Sequence, residues 1–166
     1  MKFLVSDRQN ERHSRIRSLL TNKDAVIAAL LAAVDLEWTI RRVLDHALSI
    51  NSIPLEQRPV SGLKAYAKVW AKVFNGPGGK PLPSVIDDWQ YLVESYQLRH
   101  DLVHGRQGSG SLSYITKRVD CILVASKAIA SFGLEHQADP YKRLRKRRLY
   151  GPTKRKEKPS DVSRVM

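Results

Sequence analysis

Ala25-Val26-Ile27-Ala28-Ala29-Leu30-Leu31-Ala32-Ala33-Val34-Asp35-Leu36-Glu37-Trp38-Thr39-Ile40-Arg41-Arg42-Val43-Leu44-Asp45-His46-Ala47-Leu48-Ser49-Ile50 is the stretch that decides the fold. Ala, Leu and Arg dominate it, and neither Gly nor Pro interrupts it, so intrinsic propensity favours one long helix. An apolar stripe runs through Val26, Leu30, Ala33, Ile40, Leu44 and Ala47 at the three-to-four-residue period of a helix face. The position missing from that stripe, between Ala33 and Ile40, is Glu37. A carboxylate in line with a buried stripe needs a partner, because an unpaired buried charge is very costly. Two partners are open: Arg41 one turn on in the same helix, or a cation from the cluster Arg99-His100-Asp101-Leu102-Val103-His104.

The flanking segments read as further helices. Residues 6–20 are very polar but keep Ile16, Leu19 and Leu20 at helical spacing, which predicts a solvent-facing helix docked by one edge. Thr21-Asn22-Lys23-Asp24 offers turn and N-cap residues. Residues 51–59, with Pro54 and Pro59, read as a loop. A third helix is predicted over 60–74 from Leu63, Tyr66, Ala67, Trp70, Val73 and Phe74, with Ser61 as N-cap. Asn75-Gly76-Pro77-Gly78-Gly79-Lys80-Pro81 breaks it. As a phosphate loop this segment fails, since Phe74 and Pro81 stand where Gly and Ser/Thr are required, so it reads as a flexible connector.

A fourth helix is predicted over 84–104, carrying Val85, Trp89, Leu92, Val93 and Tyr96, with Ser84 as N-cap and Asp87 and Asp88 at its positive end. Gly105, Gly108 and Gly110 end it. A fifth is predicted over 112–132 from Ile115, Val119, Ile122, Leu123, Ser126 and Ile129, with Gly133 closing it. The expected architecture is all-α: a bundle of about five helices in residues 1–139 and a basic tail in 140–166, without strands or internal repeats.

The net charge of +13 is unevenly spread. Between Tyr141 and Lys158 there are ten Lys/Arg against Glu157 alone, so about +9 of it lies there. A polyanionic partner follows, nucleic acid being the commonest, although a basic tail can also be merely solvated. No apolar run approaches the roughly 18–20 residues of a membrane span, and the start of the chain is too weakly apolar for a secretory signal. Cys121, the single cysteine, cannot form an internal disulfide and reads as a small core residue in a reducing, cytoplasmic setting.

An arginine, two histidines and an aspartate crowded at the end of a core-like helix admit three readings. As metal ligands, His100 and His104 share a helix face, but the zinc-protease pattern requires Glu after the first histidine and a third ligand. Here Asp101 follows, and no third ligand is evident. As structure, Arg99 could snorkel while the other three satisfy the helix terminus. As phosphodiester chemistry, histidine can take a proton from a ribose hydroxyl or give one to a leaving oxygen. The arginine fork matches phosphate oxygens and stabilises charge in the transition state.

Arg99-His100-Asp101-Leu102-Val103-His104-Gly105 resembles the signature of the HEPN superfamily: arginine, a polar residue, a few variable positions, then histidine, often followed by glycine. In outline the resemblance covers residues 25–132. Many members of that family are metal-independent endoribonucleases of toxin–antitoxin, abortive-infection and antiviral defence systems, acting as homodimers with the two motifs meeting across the interface. The resemblance implies Arg99 and His104 as the catalytic pair. His100 and Asp101 would help to position the site, and Glu37 would be the acidic residue on an earlier helix that orients the arginine. It implies no metal and no cofactor. Asparagine or aspartate is more usual at the position of His100. The subgroup regulated by nucleotidylation carries tyrosine where this chain has Arg106.

Arg99 and His104 are five positions apart, which on a regular helix places them roughly 140° apart. Either the last turn unwinds toward Gly105, or two chains share each centre. RNA backbone would be held by Arg106, Arg41, Arg42, Lys142, Arg143, Arg145, Lys146, Arg147 and Arg148. The expectation is therefore a homodimeric RNA-cleaving enzyme, with RNA and an antitoxin as partners. The alternatives are a catalytically silent RNA-binding or regulatory module and a purely structural partner protein.

Overall fold

The computed structural model describes residues 8–21, 24–50, 62–106 and 111–142. The predicted loop at 51–59, the Ser61 cap and the tail from residue 143 onward lie outside them. Six helices are present among the described residues: α1 (Gln9–Thr21), α2 (Ala25–Ile50), α3 (Leu63–Val73), α4 (Leu82–Val85), α5 (Trp89–Val103) and α6 (Leu112–Glu135). The fold is all-α, and no described helix is long and apolar enough to cross a membrane.

α2 is the axis of the bundle. It packs against α1, α3 and α5, and most extensively against α6. With neighbours on several sides it buries a wider surface than the single stripe read from its sequence. Ala28, Ala32, Ala33, Leu36, Ile40 and Val43 are fully buried, whereas Val26, assigned to the core, is 40% exposed. Small side chains at 28, 32 and 33 permit close helix approach. Asp35 and Thr39 meet Ser126, and Val43 meets Gly133, so α2 and α6 run parallel.

α1 departs most from expectation. Its face is not simply solvent-directed, because Arg12 and His13 are buried to 1% exposure along with Ile16, Leu19 and Leu20. They converge on the equally buried Asp35. Arg12 Nε donates to Asp35 Oδ1 at 2.6 Å, His13 Nε2 lies 2.9 Å from Oδ2, and Ser126 Oγ donates to Oδ2 at 2.8 Å. Thr39 Oγ1 lies 3.0 Å from Ser126 Oγ and donates to the Asp35 carbonyl at 2.8 Å. Burial alone would raise the Asp35 pKa. The His13 hydrogen bond, the Arg12 charge and bond, and the Ser126 hydroxyl outweigh burial and hold the carboxyl below its ordinary value.

Residues 140–142 pack beside this network. The Arg12 guanidinium sits 4.6 Å from the Trp38 ring centroid and 5.7 Å from that of Tyr141. Arg42 Nε donates to the Pro140 carbonyl at 2.9 Å and its terminal nitrogen to the Lys142 carbonyl, which His46 Nε2 also meets at 3.0 Å.

The predicted fourth helix is two. α4 ends at Val85, Ile86 adopts an extended backbone and is buried, and α5 restarts with Asp88 as N-cap, its side chain accepting from Tyr91 N at 2.9 Å. Ser84 therefore lies inside α4 and not at an N-cap. The connector at 75–81 is also not loose. Trp70 Nε1 donates to the Lys80 carbonyl at 2.9 Å, His136 Nε2 bonds the Gly78 carbonyl at 3.1 Å, and Gly79 N donates to the Gly76 carbonyl at 3.0 Å.

Gly133 does not close α6. It lies within the helix at its tightest contact, where an added Cβ would come within 2.8 Å of both Val43 Cγ2 and the Ala138 carbonyl oxygen. The true cap is His136, followed by Gln137 at φ 60°. Gly133→Ala should therefore destabilise the fold by about 1–3 kcal/mol, as overpacking does. Denaturant midpoints with an unchanged m-value would register it.

Candidate active site

The cluster read from the sequence sits where α5 crosses α2. Glu37 supplies the tie between the helices: Arg99 Nη1 lies 3.1 Å from Glu37 Oε1, the two side chains being 38% and 18% exposed. Of the two partners left open for Glu37, the one from the cluster is thus present. Tyr96, one turn before Arg99, joins both. Its hydroxyl donates to Glu37 and accepts from Arg99 Nη1 at 3.3 Å, and the guanidinium carbon lies 5.8 Å from its ring centroid. Burial first, and then the bond to Glu37, push the Tyr96 pKa well above its ordinary value, so the phenol remains a proton donor at neutral pH. Beside this trio, Arg41 Nε donates to the Tyr66 hydroxyl of α3.

α5 stays regular up to Val103, and His104 is its C-cap, with near-helical φ −96°, ψ 9° and its amide bonded to the His100 carbonyl at 3.0 Å. Gly105 then turns left-handed at φ 65°. The Gly105 amide reaches the Leu102 carbonyl at 3.4 Å, and the Arg106 amide reaches the Asp101 carbonyl at 2.8 Å. This is a Schellman terminus, so the glycine after the histidine has a structural reason of its own. The last turn does not unwind before His104. Arg99 is drawn toward Glu37, while the exposed His104 packs on the exposed His100 with ring centroids 4.3 Å apart.

The other assigned residues fall in different places. Asp101 accepts from Gln97 Nε2 at 3.2 Å through its side chain and caps the helix end through its carbonyl. Arg106 is exposed immediately after the cap. Arg42, assigned to RNA, holds the backbone of Pro140 and Lys142 instead of projecting freely. Lys142 is exposed at the end of the described chain, and Arg143, Arg145, Lys146, Arg147 and Arg148 lie outside it.

Reading the sequence missed Tyr66 as a site neighbour and placed Tyr96 only in the pattern of the predicted fourth helix. The α5 period offers a signal for Tyr96, since it stands one turn before Arg99 on the same side. Chemically, the arrangement offers a cation oriented by a carboxylate and a phenol, beside two solvent-exposed imidazoles at a helix end. No family model, curated protein or solved structure matches the chain.

Proposed function

We propose that the chain is a metal-independent endoribonuclease of HEPN type, working as a homodimer with a composite site. The observation that carries this reading is the Arg99–Glu37 ion pair with Tyr96 bonded to both partners, because it gives Arg99 the carboxylate orientation that the resemblance implied. His104 takes the proton from a ribose 2′-hydroxyl, whose oxygen attacks the adjacent phosphorus. The 5′-oxygen leaves with a proton from a second imidazole, and the products are a 2′,3′-cyclic phosphate and a 5′-hydroxyl. Arg99 stabilises the charge that builds on the phosphate oxygens.

Because the His104 turn stays helical, one chain directs its arginine and its histidine differently, and a second copy supplies the complement. Exposed apolar side chains support such a contact. Val26, Ile27 and Val34 lie in the N-terminal half of α2, Val103 ends α5 and Leu112 begins α6, toward the same end of the parallel α2–α6 pair. An isologous contact there would place both motifs near a two-fold axis. Light scattering is expected to give twice the chain mass at concentrations where the protein acts. A monomer with full activity would contradict the composite site.

Basic residues from Lys142 onward, with Arg106, hold RNA by charge and not by sequence. A toxin or defence role in the cytoplasm, restrained by an antitoxin, belongs to the same proposal. The experiment is incubation of structured RNA with the protein in excess chelator, beside the same RNA with 2′-deoxy substitutions. Cleavage of the first alone supports the enzyme. Binding without cleavage of either would favour a catalytically silent RNA-binding module.

A further inference from the structure

The chain has five histidines, and the fold treats them differently. His13 is buried on Asp35, His46 is buried against the Lys142 carbonyl, and His136 meets the Phe132 and Gly78 carbonyls with its two nitrogens. His136 is half-buried, whereas His100 and His104 are exposed residues, one helical turn apart with ring centroids 4.3 Å apart and planes tilted by 51°. We infer that this pair is a two-point clamp for a borderline transition-metal ion, Ni²⁺, Cu²⁺ or Zn²⁺, and that the clamp switches the proposed catalytic site off.

The geometry suits it. Two imidazoles at i and i+4 reach one ion on a helix face. Nitrogens about 2.0–2.1 Å from a shared ion lie about 3.3 Å from each other, a spacing that rings already 4.3 Å apart reach by side-chain rotation alone. The Schellman terminus matters here, because it keeps His104 at near-helical angles and so in register with His100. The negative end of the helix dipole favours a cation at this place. Among the described residues no third His, Cys, Asp or Glu joins the pair, so water fills the remaining positions and binding is reversible. Imidazole selects Ni²⁺, Cu²⁺ and Zn²⁺ over Mg²⁺ and Ca²⁺, which take oxygen ligands.

The regulatory half rests on the endoribonuclease reading: a His104 nitrogen bound to metal has no lone pair with which to take a proton. The clamp itself does not depend on that reading, and calorimetry separates the two. Titration of the full chain with NiCl₂ at neutral pH is expected to show one ion per chain. His100→Ala and His104→Ala are each expected to weaken it at least tenfold, while MgCl₂ gives no heat of binding. Unchanged nickel affinity in both variants would overturn the clamp, as would one ion per two chains with a metal-dependent doubling of mass. Should the clamp hold, Zn²⁺ added to a cleavage reaction stops it and chelator restores it. Cleavage that continues with the clamp saturated would overturn the switch and leave the clamp. A protein that binds nickel as expected but never cuts RNA would overturn the catalytic reading alone.

Discussion

Arg99→Ala and His104→Ala should each reduce RNA cleavage by about 10²- to 10³-fold, with the histidine variant extending to about 10⁴-fold. The expectations differ in kind. In the proposed mechanism, removing Arg99 deletes the cation that faces charge developing on the phosphate, so the loss should appear in kcat and persist at saturating RNA. In the same mechanism, removing His104 deletes the proton carrier, so the residual rate should also lose its pH dependence in the imidazole range. Arg99→Lys keeps the charge but not the fork and should recover only part of the loss. Thermal unfolding of each variant separates chemistry from folding, which matters for Arg99 because its loss leaves Glu37, only 18% exposed, without this partner. If either alanine variant keeps more than about a tenth of the parent rate, less than the span of one catalytic group, that side chain is not catalytic.

The largest effect on stability should come from Asp35, two residues before Glu37 in α2 but bonded through its side chain to α1 and α6. Asp35→Asn leaves Arg12 and His13 buried beside a neutral amide, and breaking a buried ion pair from one side costs about 3–5 kcal/mol. At roughly 2–4 °C per kcal/mol for a chain of this size, the melting temperature should fall by about 10 °C. Replacing the three together, as Arg12→Met, His13→Leu and Asp35→Leu, should recover much of the loss because no charge is then stranded. The pH dependence has a defined sign. The folded pKa of Asp35 lies below its ordinary 3.8, so its contribution is in full force above that pH and is lost as the pH falls through the folded value. Acid titration of the parent should show that loss and Asp35→Asn should not. A cost below about 1 kcal/mol, the range of exposed pairs, would mean that the network is solvated.

Much of the fold was legible because it follows from short-range rules. The bounds of α2 were readable from uninterrupted helix formers, and Glu37 was readable as a gap in an apolar period. The Arg12–Asp35–His13 network was harder to see, because polarity was taken as a sign of solvent. Position was the better sign: Arg12 and His13 stand one turn before Ile16, in register with Leu19 and Leu20, so α1 carries one buried face with charged residues at its start. The α4–α5 break escaped notice because no Gly or Pro marks it. Burial of Ile86 and the Asp88 cap impose it, and the first of these is tertiary.

At the site, residue types were legible and orientation was not. Spacing around α5 placed Arg99 and His104 about 140° apart, but it could not say that Tyr96 and Glu37 turn the arginine toward α2 while His104 rests on His100. That divergence is the physical basis for proposing that a complete site takes two copies of the chain.

The most direct test of the central claim is the identity of the ends made when the full chain cuts RNA in the presence of excess chelator. Attack by the substrate's own 2′-hydroxyl predicts 2′,3′-cyclic phosphate and 5′-hydroxyl termini, lost together with activity in His104→Ala. Termini bearing 3′-hydroxyl and 5′-phosphate, or cleavage abolished by chelator in the parent, would contradict it.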